Sequence, residues 1–169
     1  YVDAPRDRKI LVTVDGIDCP FHEPCRPVDP AYLSHKLKRA GLRYEVGVSI
    51  YSPRICWVAG GVPCGANPDL RIARKEEGLI DRLVQNEEQA AADNGYDGEE
   101  SLVTPIRDSE LSDVEKRYNR WIRRLLARHE NVNKRLKDFQ ILTTIFRHSK
   151  NYHNTCFMAC AVLTQLSMQ

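Results

Sequence analysis

A chain of 169 residues, 42% apolar and 28% charged, has the composition of a globular domain with enough length for one good core. It contains no run approaching the 18 uncharged apolar residues a bilayer crossing needs, and residues 1–9 lack the pattern of a signal peptide, so a soluble, intracellular protein without a membrane partner is expected. The net charge of +2 conceals an asymmetry: residues 1–115 hold 14 basic and 21 acidic side chains, a balance of −7, whereas residues 116–150 hold 11 and 2, a balance of +9. Such a basic segment fits a phosphate-backbone binder, although a solvated charged helix face is the commoner explanation.

In chain order, the β-branched run Lys9–Asp15 predicts a central strand buried on both faces, with Asp15 at its exit. Residues 16–30, rich in Pro, Cys and acids, predict an irregular loop, and a polar stretch from Tyr32 to Arg39 is closed by Gly41. Tyr44–Ile50 and Ile55–Gly60 then predict a hairpin around Ser52-Pro53. Asn67-Pro68-Asp69 opens a segment in which Leu70, Ile72, Leu79, Ile80 and Leu83 are spaced for one amphipathic helix. Ala90–Ala92 predicts a short strand delivering Asp93, and residues 97–113 a loop.

Ser112 and Glu115 form a capping-box pattern at the start of a long helix. Tyr118, Trp121, Leu125, Val132, Leu136 and Phe139 are its expected apolar stripe, with Arg123, Glu130, Lys134 and Lys137 in a second direction. A polar break over residues 147–154 precedes a closing apolar helix from Thr155 to about Leu166. The chain begins without Met and close to a core strand, so a preceding region is expected in the natural protein.

Six cysteines form no Cys-x-x-Cys pair, which favours reduced, buried thiols; Cys156, Cys160, His148 and His153 match no structural zinc spacing. The acids carry more information. Asp15 and Asp93 close two separate strands, Glu130 sits on the late helix, and Asp69 is a fourth carboxylate. Each has a simpler alternative: Asp93 as a turn residue, Asp69 as a helix cap, and Glu130 as a surface partner of Lys134 four residues on.

The chain resembles the DDE superfamily endonuclease domain of PIF/Harbinger-type transposases. The resemblance is carried by Val14-Asp15-Gly16, by Ser34-His35-Lys36 with the run 41–48, and by Trp57 to Gly61 leading to Asn67-Pro68-Asp69. It continues through Ala92 to Tyr96, Arg128 to Lys137 and Phe146-Arg147-His148. It implies an α/β fold with a ribonuclease-H-like mixed sheet flanked by helices, with residues 1–169 forming a catalytic domain that lacks its N-terminal DNA-binding region. By resemblance Asp15, Asp93 and Glu130 are catalytic, these three and Asp69 are metal ligands, and Arg123, Arg128, Lys134 and Lys137 contact DNA. The position four residues before Glu130, commonly Arg, is Leu126 here. A magnesium or manganese ion, transposon-end DNA, a Myb-like partner protein, an oligomer and a nuclear location follow from the same resemblance. A hard cation suits such a carboxylate set.

Overall fold

A computed structural model describes residues 9–23 and 29–168. Residues 24–28, which include Cys25 and part of the expected 16–30 loop, lie outside the described residues, as do residues 1–8.

Six strands form one mixed sheet: β1 (Lys9–Pro20), β2 (Leu33–Ser34), β3 (Arg39–Ser49), β4 (Ile55–Pro63), β5 (Glu88–Ala92) and β6 (Leu102–Val103). Their order is β2-β3-β1-β5-β6, with β4 also paired to β3. β1, β3 and β4 are antiparallel neighbours, while β5 and β6 run parallel to β1. With helices on both faces, this is the ribonuclease-H-like arrangement expected.

Side-chain alternation divides the core in two. On one face Ile17, Cys19, Leu42, Tyr44, Val46 and Val48 pack with Val132, Leu136, Leu142 and Phe157, which belong to α3 (Asp113–Lys137), α4 (Gln140–Thr143) and α5 (Lys150–Ser167). On the other, Val14, Ala90 and Ala92 pack with Ala73, Leu79 and Leu83, from α1 (Asp69–Ala73) and α2 (Leu79–Gln85).

Besides β6, which falls within the expected 97–113 loop, and β3, which begins at Arg39 rather than Tyr44, four departures from the expected elements concern β1 and the helices. β1 does not end at Asp15 but runs on to Pro20, because β3 continues to pair with it as far as Pro20↔Gly41 after its parallel partner β5 has stopped at Val14↔Ala92. The helix expected across residues 69–83 is two helices, interrupted where Glu77 adopts φ 55° and Gly78 caps α2. The closing helix begins at Lys150 rather than Thr155, taking in residues 150–154 of the expected polar break. There His153 is fully buried, its Nδ1 2.7 Å from the Tyr44 hydroxyl.

The fourth departure is the buried stripe of α3, which is rotated from the expected one. Ile122, Val132 and Leu136 are buried along with the polar Asn119, His129 and Asn133, while Trp121 is 44% exposed. The capping box at Ser112 forms as expected: Glu115 Oε2 accepts from the Ser112 amide at 2.7 Å, and the Glu115 amide donates to Ser112 Oγ at 3.3 Å.

Candidate active site

The meeting of β1 and β5 creates the site. Val14 pairs with Ala92, the last residue of β5, so Asp15 and Asp93 follow as neighbours at the point where the parallel ladder ends. From that point until Phe146 N donates to Pro20 O, β3 is the strand paired with β1, and a residue in the middle of a twelve-residue strand gains an open flank.

α3 is laid along β1 so that residues four apart on the helix meet residues two apart on the strand. His129 Nδ1 lies 2.9 Å from Thr13 Oγ1, and Asn133 Nδ2 donates to Asp15 Oδ2 at 2.8 Å. Asp15 Oδ1 also accepts from the Gly16 amide at 2.7 Å. Burial raises the Asp15 pKa to about 6; Lys36 opposes the rise, and Asp93 and Asp69 add to it. A carboxyl so placed among other carboxyls gains most from a cation.

Asp93 Oδ1 accepts from the Gly95 amide at 2.8 Å, capping the single helical turn at residues 94–96. It is therefore a turn residue and a neighbour of Asp15 at once. Asp69 is not the helix cap weighed from sequence: Pro68 occupies that position, and no side-chain cap bond forms. Its carboxylate reaches back to the sheet instead. A Cβ on Gly16 would stand 2.0 Å from Asp69 Oδ1, and one on Gly95 would stand 3.0 Å from Asp93 Oδ1 and 3.3 Å from Asp69 Oδ2. Strand alternation turns Gly16 away from the α3 face, so Asp69 approaches from the opposite side of the sheet and meets the Asp93 turn at its edge.

A buried network holds it there. Arg43 Nε lies 2.6 Å from Asp18 Oδ1 and 3.4 Å from Asp69 Oδ1, and Arg43 Nη2 donates to Asp18 Oδ2 at 2.9 Å. Burial would raise the Asp18 pKa, but hydrogen bonds from Arg43 and Ser34 outweigh it and the net shift is downward. Beneath the site, fully buried Glu45 accepts from Trp57 Nε1 at 2.8 Å. Burial pushes its pKa to about 7 against the Trp57 donor.

Glu130 is exposed. It lies eleven residues, about three turns, beyond Asn119, so the two share one line along the helix. Asn119 bonds both the N–H and C=O of Ile106, just past β6. Glu130 therefore lies near the helix line that Asn119 turns toward Ile106, one turn before Asn133, and among the described residues it makes no hydrogen bond or ion pair with Asp15, Asp69 or Asp93. Lys137, seven residues on, lies on the same flank of the helix. Arg128 lies on the other flank, donating to Ile50 O at 2.8 Å. Arg123, Lys134 and Lys137 are exposed.

Among the described residues no group of three His, Cys, Asp or Glu side chains is arranged to hold a metal ion, and none of the described helices is long and apolar enough to cross a membrane. Asp15, Asp69 and Asp93 share one electrostatic neighbourhood. The sequence reading missed Asn133, Arg43, Asp18, Glu45 and Lys36. Lys36, Arg43, Glu45 and Asn133 all lie within the segments that carry the family resemblance, which was the available signal; Asp18 lies outside them.

Comparison with curated proteins and with solved structures returned no match. Residues 14–165, from the strand carrying Asp15 through most of α5, match the family described as DDE superfamily endonuclease, and the chain belongs to that family.

Proposed function

We propose that this chain is the catalytic domain of a PIF/Harbinger-type transposase, a divalent-metal-dependent endonuclease acting on DNA, with Asp15, Asp93 and Glu130 as its catalytic carboxylates. The observation that carries this reading is the register of β1 and β5, which sets Asp15 beside Asp93 where the ladder ends, under the helix that bears Glu130.

The chemistry of the donors suits a hard dication, although no three of them are drawn together as a ligand set among the described residues. The donors are carboxylate oxygens, the Asp15 pKa is raised to about 6, and buried Asp69 Oδ1 accepts no hydrogen bond, having only the 3.4 Å ion pair with Arg43. A bound magnesium or manganese ion supplies activation of the attacking water or 3′-hydroxyl and neutralises charge on the leaving oxygen. The chain's own groups supply the rest. Asn133 orients Asp15, the Gly95 amide orients Asp93, and Arg43 holds Asp69 at the edge as a further ligand. Arg123, Lys134 and Lys137 take DNA phosphates on the Glu130 flank, with Arg128 on the far flank as a more distant contact. In this reading the substrate is transposon-end DNA in the nucleus, bound by an oligomer with a Myb-like partner protein.

The test is nicking of supercoiled DNA with magnesium or manganese. Asp15→Asn, Asp93→Asn and Glu130→Gln should each lower the rate at least a hundredfold while the fold survives, since an amide keeps the shape of the carboxylate and removes its charge. Equal nicking by wild type and a triple amide variant would sink the assignment. DNA binding with no metal-dependent nicking by the wild type would favour a domesticated, transposase-derived DNA- or protein-binding module.

A further inference from the structure

Past Val14 the free edge of β1 is met by a cation. Lys36 Nζ donates to Gly16 O at 3.5 Å, a carbonyl next to Asp15 that β5 no longer reaches. Lys36 is also the cation that most opposes the rise in the Asp15 pKa, and it acts on Asp69 and Asp18 as well.

Its position is built from below. The turn between β2 and β3 is closed by Lys38 N donating to Ser34 O at 2.9 Å and Leu37 N donating to Ser34 Oγ at 3.0 Å, with Lys38 at φ 56°. Ser34 Oγ in turn donates to Asp18 Oδ2 at 2.6 Å, and Asp18 is locked to Arg43. The buried network that holds Asp69 thus also fixes the turn carrying Lys36. The side chain itself is exposed. An ammonium has three N–H donors, so one long bond to a carbonyl leaves two for an incoming anion.

We propose that Lys36 is a DNA-contacting residue of the active site, its ammonium bonding a non-bridging phosphate oxygen of the strand laid across Asp15 and Asp93. This rests on the endonuclease reading above. Lys36 stands on the β1 edge rather than on the basic helix, so it adds a contact at the reacting strand that the +9 segment does not supply.

The experiment measures DNA affinity against salt with Ca²⁺ replacing Mg²⁺, beside nicking with Mg²⁺, for wild type, Lys36→Met and Lys36→Arg. One lost phosphate contact should reduce the slope of log affinity against log salt by about 0.9 in Lys36→Met. Nicking should fall roughly tenfold or more, and Lys36→Arg should retain both slope and most of the rate. A wild type that nicks while Lys36→Met keeps the full slope would overturn the Lys36 assignment alone, leaving Lys36 as a counter-ion of the carboxylates. A wild type that neither binds nor nicks would overturn both readings.

Discussion

Gly16 and Asp69 occupy one space: a Cβ on the glycine would fall 2.0 Å from Asp69 Oδ1. Gly16→Ala must therefore displace the Asp69 carboxylate or bend β1, as overpacking does elsewhere at a cost of about 1 to 3 kcal/mol. If Asp69 serves the metal, the variant should also bind Mn²⁺ at least tenfold more weakly, read by calorimetry on folded protein. Unchanged Mn²⁺ affinity would remove Asp69 from the ligand set.

Asp15 gives the metal-free protein a pH signature. Its ordinary pKa of 3.8 rises to about 6 on folding, so between those values the native state holds more protons than the unfolded chain. Stability then falls as pH rises through that window, and the whole penalty stands above about pH 6. Asp15→Asn removes the penalty. In EDTA at pH 8 the variant should be more stable by about 1 kcal/mol, or roughly 2 to 4 °C for a chain of this size, with the advantage shrinking toward pH 4.5. A thermal melt showing the same difference at both pH values would contradict this account.

The Asp18–Arg43 pair should behave as a buried ion pair does. Arg43→Leu leaves Asp18 uncompensated and should cost about 3 to 5 kcal/mol in urea unfolding, while the double variant Asp18→Leu/Arg43→Leu should recover much of the loss. Because the Asp18 pKa is depressed, the stability it contributes is present above its unfolded value and is lost as pH falls below about 4. A double variant as weak as the single one would show that the pair also holds the sheet edge through its bonds to Ser34 and Asp69.

The two flanks of α3 should separate in DNA binding. Lys134→Glu with Lys137→Glu reverses charge on or beside the Glu130 flank and should weaken binding steeply at low salt, with a shallower salt slope. Arg128→Glu acts on the far flank, where Arg128 is already engaged by Ile50 O, and should weaken it less. Equal losses from both, in a fluorescence titration across a salt series, would mean that DNA is not confined to the flank bearing Glu130.

The strand cores were legible because β-branched runs at residues 9–15, 44–50 and 55–60 leave few other options, and the capping box marked the start of α3. What lay hidden depended on partners distant in sequence. Gly16, Asp18 and Pro20 interrupt the apolar run, so nothing local shows that β3 carries β1 five residues past Asp15. The α3 stripe was read from apolar residues alone, yet Asn119, His129 and Asn133 are buried because Ile106, Thr13 and Asp15 receive their polar atoms. Asp69 reads as a cap when only its neighbours are known, since Arg43, the residue that turns it toward the sheet, lies 26 positions away.

The end of the β1–β5 ladder at Val14 and Ala92 also bears on when this chain can act. Asp15 and Asp93 lie 78 residues apart, and only that register aligns them; a slip of one residue would send Asp15 to the opposite face. Asp15 and Asp93 therefore become neighbours only once β5 has paired with β1 in this register. If the chain cuts DNA as proposed, cutting depends on that pairing, and amide exchange of residues 90–92 should track recovery of nicking on refolding.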